Sequence, residues 1–325
     1  MSYSSTSTST STSTSTSVSS SSFTFIPTGE IFQEIADVYV GTAEDFQWNP
    51  RIYKQKEKCK SIKEIINMTN ITNTTEQNKW ENPQIVFCYT HRIETFIEDI
   101  LPVIKNPFKL ITHNSDHPVL ERHYTQIVKN PLFIEGYAQN IEFTYFNKDK
   151  LHVLPIGFAN GQWTHGNMET IREIIHHNNF ETDQNRYQKQ KNSIYFNFNV
   201  HTSPNKRVHC RNIIINKGVK ELENTDFKTH LQRLSTYEYC ICPEGNGPDT
   251  HRLWECIYLD VIPIVLKTPF IETLCIEYGE SIPLVILEKW EDFDATKLLP
   301  QSDWVSRFEK IRENISQIKR KIMEK

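Results

Sequence analysis

The chain has 325 residues, enough for one large or two medium domains with cores of their own. Its net charge of −4 argues against a general nucleic-acid partner or a membrane-surface partner. No apolar run approaches the roughly 20 residues that span a bilayer, and the N-terminus lacks the basic and apolar regions of a secretory signal, so we expect a soluble, cytoplasmic protein without a membrane span.

Residues 2–22 are almost wholly serine and threonine. Such a tract has nothing to bury, so it cannot offset the entropy lost on ordering. We therefore predict a disordered tail or spacer over residues 1–22 and expect the ordered chain to begin near Phe23.

Residues 23–165 have the alternating texture of an α/β domain. Short apolar runs with little polar alternation indicate a parallel sheet that is covered on both faces. An amphipathic helix is predicted near Ile93–Ile104, and a surface helix and loop over the polar residues 54–82. The predicted strands are Ile85–Tyr89, Lys109–Ile111, Leu132–Ile134 and His152–Pro155. This segment is interpreted as an N-terminal Rossmann-like domain that holds an acceptor.

A polar stretch over residues 166–191, with a predicted helix at Glu169–His177, is interpreted as a linker to a second α/β series over residues 192–300. A helix is predicted near Val208–Ile215, and another after Asp249. The predicted strands of this series are Ser193–Phe198, Tyr239–Cys242, Val261–Val265 and Pro283–Leu287.

The last segment, residues 301–325, carries apolar side chains on one helical stripe, so we expect a final helix that crosses back to the first domain. The predicted fold is therefore α/β, with two Rossmann-like domains that face a cleft. In open parallel sheets, ligands bind at the carboxyl ends of the strands, so functional residues are sought in the loops that follow them.

The seven cysteines are scattered, and no pair or His/Cys cluster has zinc spacing. Cys240 and Cys242 alternate along a predicted strand, so both face one side, where we expect them to pack in the core. Asp292-Phe293-Asp294 has the form of a cation-binding Asp-x-Asp motif, but a tripeptide this short occurs by chance. We expect no bound metal.

The strongest pattern is the segment from Pro243 to Glu255, in which a glycine loop follows a strand and leads into a helix. Arg252 and Glu255 are three residues apart and share a face of that helix, which Asp249 or Thr250 can cap. An open backbone and a helix N-terminus suit phosphates, a guanidinium pairs with them, and a carboxylate suits ribose hydroxyls. The segment lacks both the dinucleotide-binding and the P-loop glycine patterns. The alternative is a set of turn glycines followed by a surface ion pair.

Residues 242–265, CPEGNGPDTHRLWECIYLDVIPIV, resemble the nucleotide-binding segment of exostosin-like glycosyltransferases. Four further segments add to this similarity to short exostosin-like proteins of algae and large DNA viruses: LITHNSD (110–116), GYAQN (136–140), LPIGFANGQWTHG (154–166) and NFNVHTSPNKR (197–207). The resemblance implies a GT-B type enzyme, independent of metal and cofactor, that takes a nucleotide-sugar donor and a glycan or other hydroxyl acceptor. It also implies that Arg252 meets the diphosphate and Glu255 the ribose, with a UDP-sugar as the default donor and GDP-fucose as an alternative.

Further contacts to the donor are expected from two segments: the residues after the first strand of the second domain, and the glycine loop with the helix that follows it. Lys206 and Arg207 follow the first strand of the second domain and can neutralise a departing diphosphate; the alternative is a solvated basic turn. The full predicted donor set is Lys206, Arg207, Pro243, Gly245, Asn246, Gly247, Asp249, Thr250, His251, Arg252 and Glu255.

A base near the acceptor is sought at the ends of the first domain's strands. The candidates are His91, His113 and Asp116, with Asp116 and His113 ranked first. For each of them, the alternative is a structural role in capping or in a loop. A reaction that retains configuration needs no such base. The residues predicted to contact the acceptor are Asn114, Asn140, Trp163 and His165. The alternative is that they serve only in packing between the domains.

Two other classes of protein fit the same architecture. One is a different enzyme, such as an epimerase or a phosphorylase, although no lysine segment typical of pyridoxal phosphate binding is evident. The other is a binding protein that recognises glycans or nucleotides without turnover. The presence of both Arg252 and Glu255 favours the transferase.

Overall fold

The computed structural model describes residues 25–55, 58–61, 83–144, 149–180, 190–279, 282–298 and 304–324. The predicted tail over residues 1–22 lies outside these ranges, as does most of the predicted surface segment 54–82. Within the described ranges, no helix combines the length and the apolar character that crossing a bilayer requires.

The N-terminal lobe is built on a six-stranded, wholly parallel sheet in the order β2-β1-β3-β4-β5-β6. Nearly every residue of its central strands is buried, as the unbroken apolar runs predict for a sheet covered on both faces. The strands are β1 Val38–Gly41, β2 Cys59–Ser61, β3 Ile85–Tyr89, β4 Phe108–His113, β5 Phe133–Ala138 and β6 Leu151–Val153.

The C-terminal lobe contains a second parallel sheet, of four strands in the order β10-β9-β8-β7. Its strands are β7 Gln190–Tyr195, β8 Tyr237–Ile241, β9 Ile262–Leu266 and β10 Val285–Leu287. The predicted α/β architecture with two parallel, Rossmann-like sheets is therefore confirmed.

The helices of the described residues cover the faces of these sheets. In chain order they are α1 Gly29–Ile35, α2 Ala43–Gln47, α3 Pro50–Tyr53, α4 Ile93–Thr95, α5 Glu121–Ile127, α6 Met168–Phe180, α7 Pro204–Asn216, α8 Phe227–Leu234, α9 His251–Tyr258, α10 Pro269–Tyr278 and α11 Val305–Met323. Short 3-10 turns occur at Thr90–Arg92, Leu101–Val103, Thr164–Gly166, Val200–Thr202, Trp290–Asp292 and Ala295–Lys297.

The sequence prediction missed the beginning of the first sheet. Strand β1 is only four residues long, and β2, which lies in the stretch predicted as surface helix and loop, has the polar sequence Cys-Lys-Ser. Edge strand β2 is defined by its pairing with β1, a tertiary contact that leaves no local pattern. The predicted helix near Ile93–Ile104 is confirmed as a helical segment, formed by α4, a π-helical turn over Phe96–Ile100 and the 3-10 turn Leu101–Val103.

The predicted linker is also more ordered than its polarity suggests. Helix α6 packs against α8, with Ile171, Ile174 and Ile175 buried, and β7 begins at Gln190 inside the predicted linker range. Lys228 of α8 pairs with Glu173 of α6 at 2.9 Å. The helix thus belongs to the packed structure of the C-terminal lobe.

The final helix, α11, joins the two lobes. Arg312 donates from Nη1 to Ile257 O at 3.0 Å and to Asp260 Oδ1 at 2.6 Å at the end of α9, and both side chains of this ion pair are buried. At its far end, Lys109 Nζ of β4 donates to the carbonyl oxygens of Lys321 and Glu324 at 2.7 and 2.8 Å. The helix therefore packs on α9 of one lobe and is held by β4 of the other.

Removing the guanidinium of Arg312 breaks its buried ion pair with the carboxylate of Asp260 from one side. We expect Arg312→Ala to lower the free energy of unfolding by about 3–5 kcal/mol in urea titrations, the scale for breaking a buried ion pair from one side. Lys310→Ala, on the exposed face of the same helix, is the control and should change it by less than about 0.5 kcal/mol. Equal stability of the two variants would contradict an anchoring role for Arg312.

Candidate active site

The carboxyl ends of both sheets open onto the boundary between the lobes. Asn114 and Asn140, directly after β4 and close after β5, adopt left-handed backbone conformations with φ of 57° and 56°. Asparagine tolerates this region better than most residues, and it turns the chain sharply at the end of each strand. The loop from Cys242 to Thr250, after β8, meets these two turns from the other lobe.

A clamp of hydrogen bonds joins that glycine loop to the N-terminal lobe. Asn140 accepts from Asp249 N at 3.1 Å and donates from Nδ2 to Ser115 O at 2.9 Å. Asn246 Nδ2 donates to Asp116 Oδ2 at 3.1 Å. A Cβ at Gly247 would lie 2.9 Å from Asn140 Nδ2, so only glycine allows this close approach. Asn246, Gly247 and Asp249, predicted as donor ligands, thus hold the lobes together here.

Asp249 is the buried centre of this clamp. Its Oδ2 accepts from Ile156 N and its Oδ1 from Trp254 Nε1, both at 2.7 Å. Burial raises the pKa of Asp249 to about 7, although these hydrogen bonds oppose the rise. The predicted capping role is wrong for Asp249, since its carboxylate is engaged elsewhere; Thr250 occupies the N-cap position of α9 without a side-chain capping bond.

A cavity of about 750 Å³, here called the C-terminal cavity, opens beside α9. Arg252 and His230 form part of its wall, together with the loop after β7 and the start of α8. The remaining lining side chains are mostly polar, among them Asn167, Asn197, Asn199, Asn224 and Thr225. A space of this size with a cationic wall can take a phosphorylated ligand of nucleotide size.

Arg252 is held in the wall by a buried carboxylate. Its Nε donates to Glu255 Oε2 at 3.1 Å and its Nη1 to Asn197 O at 2.6 Å, while the guanidinium lies over the ring of Tyr195. His230 Nε2 lies 3.1 Å from the same Glu255 oxygen. Burial alone would raise the pKa of Glu255, but the hydrogen bond from His230 and the charges of His230 and Arg252 lower it to about 2. Glu255 is thus an ionised, buried anchor.

The guanidiniums of Arg207 and Arg252 have only part of their N–H groups hydrogen-bonded within the described residues. Arg207 donates from Nε to Glu244 O at 2.8 Å and from Nη1 to Asn199 O at 2.9 Å. Burial and the charge of Arg252 lower the pKa of Arg207, so the two cations act on each other. Among the described residues, Nη2 of Arg252 and Nη2 of Arg207 have no hydrogen-bond partner. Lys206 instead pairs with Glu244 at 3.0 Å.

The absence of a side chain at Gly245 leaves space for the guanidinium of Arg207. A Cβ there would lie 3.3 Å from Arg207 Nη2, so a side chain at position 245 would press on the guanidinium. Pro243, Gly245 and Thr250 otherwise form the turn that brings β8 to the start of α9.

A second cavity, of about 400 Å³ and here called the N-terminal cavity, lies at the carboxyl edge of the first sheet. Trp48 and Trp163 line it with 69% and 48% of their surface exposed. Buried Gln162 Oε1 lines it as well and has no hydrogen-bond partner among the described residues. Six amide side chains contribute to the lining: Gln33, Asn49, Asn114, Gln139, Asn160 and Gln162. Exposed indoles and amides suit a ligand with apolar faces and many hydroxyls.

The three candidate bases occupy different environments at this cavity. His113 is 1% exposed; its Nε2 lies 3.0 Å from Pro155 O and its Nδ1 accepts from Asn114 N, and burial lowers its pKa to about 4. Asp116 is exposed at the rim, where it accepts from Asn246. His91 lies 2.7 Å from Asp45 and keeps 27% of its side chain exposed.

The two cavities are separated by a thin partition of rings. His165, which lines the C-terminal cavity, stacks on Trp163 at 6.3 Å and lies 6.0 Å from His251, and both of these line the N-terminal cavity. His251 donates from Nδ1 to Gly157 O at 2.7 Å, since a carbonyl can only accept. The two cavities therefore lie on opposite sides of one small group of rings.

Three buried thiols lie behind the wall that carries Arg252. The sulfur atoms of Cys240, Cys242 and Cys256 lie within 4.8 Å of one another, with Cys242 and Cys256 3.7 Å apart. Such a set has the softness to hold a thiophilic metal ion. Cys240 and Cys242 are core residues on one face, as the strand pattern predicts, and Cys256 joins them from α9, which strand spacing does not reveal.

Several residues of the site were missed by sequence reasoning. Asp45, Trp48, Tyr195 and His230 come from segments with no motif and reach the site only through the fold. Gln162 lies within the segment 154–166 singled out above but was not among the predicted site residues. No protein-family model and no curated protein matches this chain.

Asp249 provides a test of the clamp through pH. Because its pKa in the folded state lies above the ordinary value, the folded protein keeps a proton that the unfolded chain releases. Its contribution to stability is therefore complete near pH 4 and is lost as the pH rises through about 7. We expect the difference in unfolding free energy between the native protein and Asp249→Ala to decrease across that range, with Asp292→Ala as the exposed control. A difference that grows with pH would contradict a protonated, buried Asp249.

Proposed function

We propose that this protein is a glycosyltransferase that moves a sugar from a nucleoside-diphosphate sugar to a hydroxyl of a glycan or other acceptor. The observation that carries the proposal is the pair of guanidiniums, Arg252 and Arg207, whose Nη2 atoms have no hydrogen-bond partner in the described part of the chain. Arg207 Nη2 lies against Gly245 of the glycine loop. Arg252 is paired with the buried carboxylate of Glu255, whereas Arg207 donates to the carbonyl oxygens of Glu244 and Asn199. Two neighbouring cations with a single carboxylate between them in this set of contacts favour a ligand with more than one negative charge.

The donor is proposed to bind in the C-terminal cavity. Its diphosphate would lie between Arg252, Arg207 and the start of α9, where positive charge stabilises the leaving group as the sugar departs. A UDP-sugar remains the default donor and GDP-fucose the alternative, and neither needs a bound metal or a separate cofactor in this proposal. Glu255 was predicted to meet the ribose; its Oε2 already accepts from Arg252 and His230, so its larger role here is to orient Arg252.

The acceptor is proposed to bind in the N-terminal cavity. Trp48 and Trp163 would stack on sugar rings, and the amide-rich lining would exchange hydrogen bonds with hydroxyls. Asn114 would contribute to this lining, Asn140 would act through the clamp, and His165 would stand at the partition towards the donor. A binding protein without turnover is the alternative, and donor hydrolysis or transfer distinguishes the two.

Arg252 should dominate donor binding. Truncation to Ala removes a charged hydrogen-bond donor and leaves Glu255 short of a partner, so we expect UDP or GDP to bind about 10–100-fold more weakly in calorimetric titrations, on the scale of 1.5–3 kcal/mol for charged hydrogen bonds. Arg172→Ala, an exposed arginine on α6, is the matched control and should bind like the native protein. Unchanged affinity in Arg252→Ala would remove Arg252 from the diphosphate site.

Loss of the indole at Trp163 should weaken binding of the acceptor but not binding of the nucleotide. Aromatic stacking contributes about 0.5–1.5 kcal/mol, so Trp163→Ala and Trp48→Ala are each expected to raise the KM for an acceptor glycoside by about 3–10-fold. The Kd for the nucleotide should stay constant, and Ile286→Ala, an exposed apolar residue on β10, should change neither constant. A weaker nucleotide affinity with an unaltered acceptor KM would indicate that the nucleotide binds in the N-terminal cavity and the acceptor in the C-terminal cavity.

A further inference from the structure

His91 has two ring nitrogens with different partners. Its Nε2 lies 2.7 Å from Asp45 Oδ1, and its Nδ1 lies 3.2 Å from Ser115 Oγ. An ionised carboxylate can only accept, so Nε2 carries the proton. The lone pair is therefore on Nδ1, which faces the hydroxyl of Ser115 at the wall of the N-terminal cavity.

Asp45 is fixed as an ionised partner. Burial alone would raise its pKa, but the hydrogen bonds from His91 and Arg92 and from the Thr42 backbone hold it well below the usual range. Arg92 Nε lies 2.9 Å from Asp45 Oδ2, and Thr42 N donates to the same oxygen at 2.7 Å in a capping box at the start of α2. The carboxylate therefore cannot turn away, and it sets both the tautomer and the orientation of the imidazole.

The lone pair of His91 lies on the cleft side of this lobe. Ser115 is bonded through its carbonyl to Asn140, and the next residue, Asp116, accepts from Asn246 of the glycine loop. The position beside Ser115 Oγ is thus next to the loop that leads to Arg252. His113 differs from His91 in being only 1% exposed, with both ring nitrogens bonded inside the lobe, whereas the Nδ1 partner of His91 is a side-chain hydroxyl at the cavity wall. Asp116 is exposed and accepts from Asn246 of the glycine loop, and within the described residues no other hydrogen-bonding group orients it as Asp45 orients His91.

We propose that His91, positioned by Asp45, is the catalytic base of the transfer, an assignment that rests on the proposed function. An acceptor hydroxyl that replaces the Ser115 hydroxyl at Nδ1 would give its proton to that nitrogen while its oxygen forms a bond to the anomeric carbon of the donor. The bond from that carbon to the diphosphate oxygen breaks, and its electron pair leaves with the diphosphate towards Arg252 and Arg207. Asp45 stabilises the imidazolium that results. Direct displacement of this kind inverts the anomeric configuration.

The test uses the full-length chain with UDP-sugars and GDP-fucose as donors and aryl hexosides and pentosides as acceptors. We expect His91→Ala to lower kcat by about 10²–10⁴-fold, the usual contribution of general base catalysis, with an unchanged Kd for the nucleotide. Added imidazole should restore part of the activity, which a purely structural role for His91 would not allow. His209→Gln, an exposed histidine on α7, is the control and should transfer like the native protein.

Asp45 acts through His91, so its test is a double-variant cycle. Asp45→Asn should lower kcat in the native background but have no further effect in the His91→Ala background. NMR of the native product should show inverted configuration. Any one of four results would overturn the assignment. Two concern His91→Ala: transfer within about threefold of the native rate, or no rescue of the folded variant by imidazole. The other two are additive effects of the two substitutions and a product with retained configuration.

Failure of the underlying function is distinguishable from failure of this assignment. A native protein that binds none of the donors and transfers no sugar would overturn both. A native protein that binds donor and transfers sugar, with a fully active His91→Ala variant, would overturn the base alone.

Discussion

Arg252 is fixed at the wall of a large cavity by a carboxylate that is itself almost wholly buried. Glu255 is 6% exposed, yet its pKa stays near 2 because Arg252 and His230 both point at the same oxygen. Burying a charge is costly unless it is paired, so the carboxylate and its cationic partners constrain one another. The guanidinium of Arg252 is therefore held in one orientation, and its positive charge acts on the neighbouring Arg207. Such excess positive charge is best relieved by an anionic ligand.

The clamp around Asp249 and Asn140 determines what lies opposite that charge. Its hydrogen bonds hold the glycine loop of one lobe against the strand ends of the other, so the two cavities open on the same boundary. Trp163, His165 and His251 form the partition between them. A transfer reaction needs two ligands held close together and shielded from water, and this arrangement supplies adjoining spaces of different character. The cationic space suits a diphosphate, and the amide-lined space suits a polyhydroxylated acceptor.

The sequence alone predicted the parts of this arrangement that have local signatures. Strand β3 was predicted to the residue, because its apolar run is bounded by polar segments, and the Arg252–Glu255 helix follows from spacing on one face. Asp45 and His230 could not be predicted, since each reaches its partner over tens of residues of chain. Asp249 was interpreted as a cap or ligand because it precedes a helix, whereas the fold turns it inward to Ile156 and Trp254. Its role depends on the other lobe, which local pattern does not encode.

The proposed function requires a diphosphate to bind between Arg252 and Arg207. The most direct measurement is a crystal structure of the protein grown with UDP or GDP. We expect phosphate oxygens within about 3 Å of the Nη2 atoms of both arginines, the distance of a charge-assisted hydrogen bond, and the nucleoside in the C-terminal cavity. A nucleotide bound elsewhere, or a C-terminal cavity that stays empty at saturating nucleotide, would contradict the proposed function.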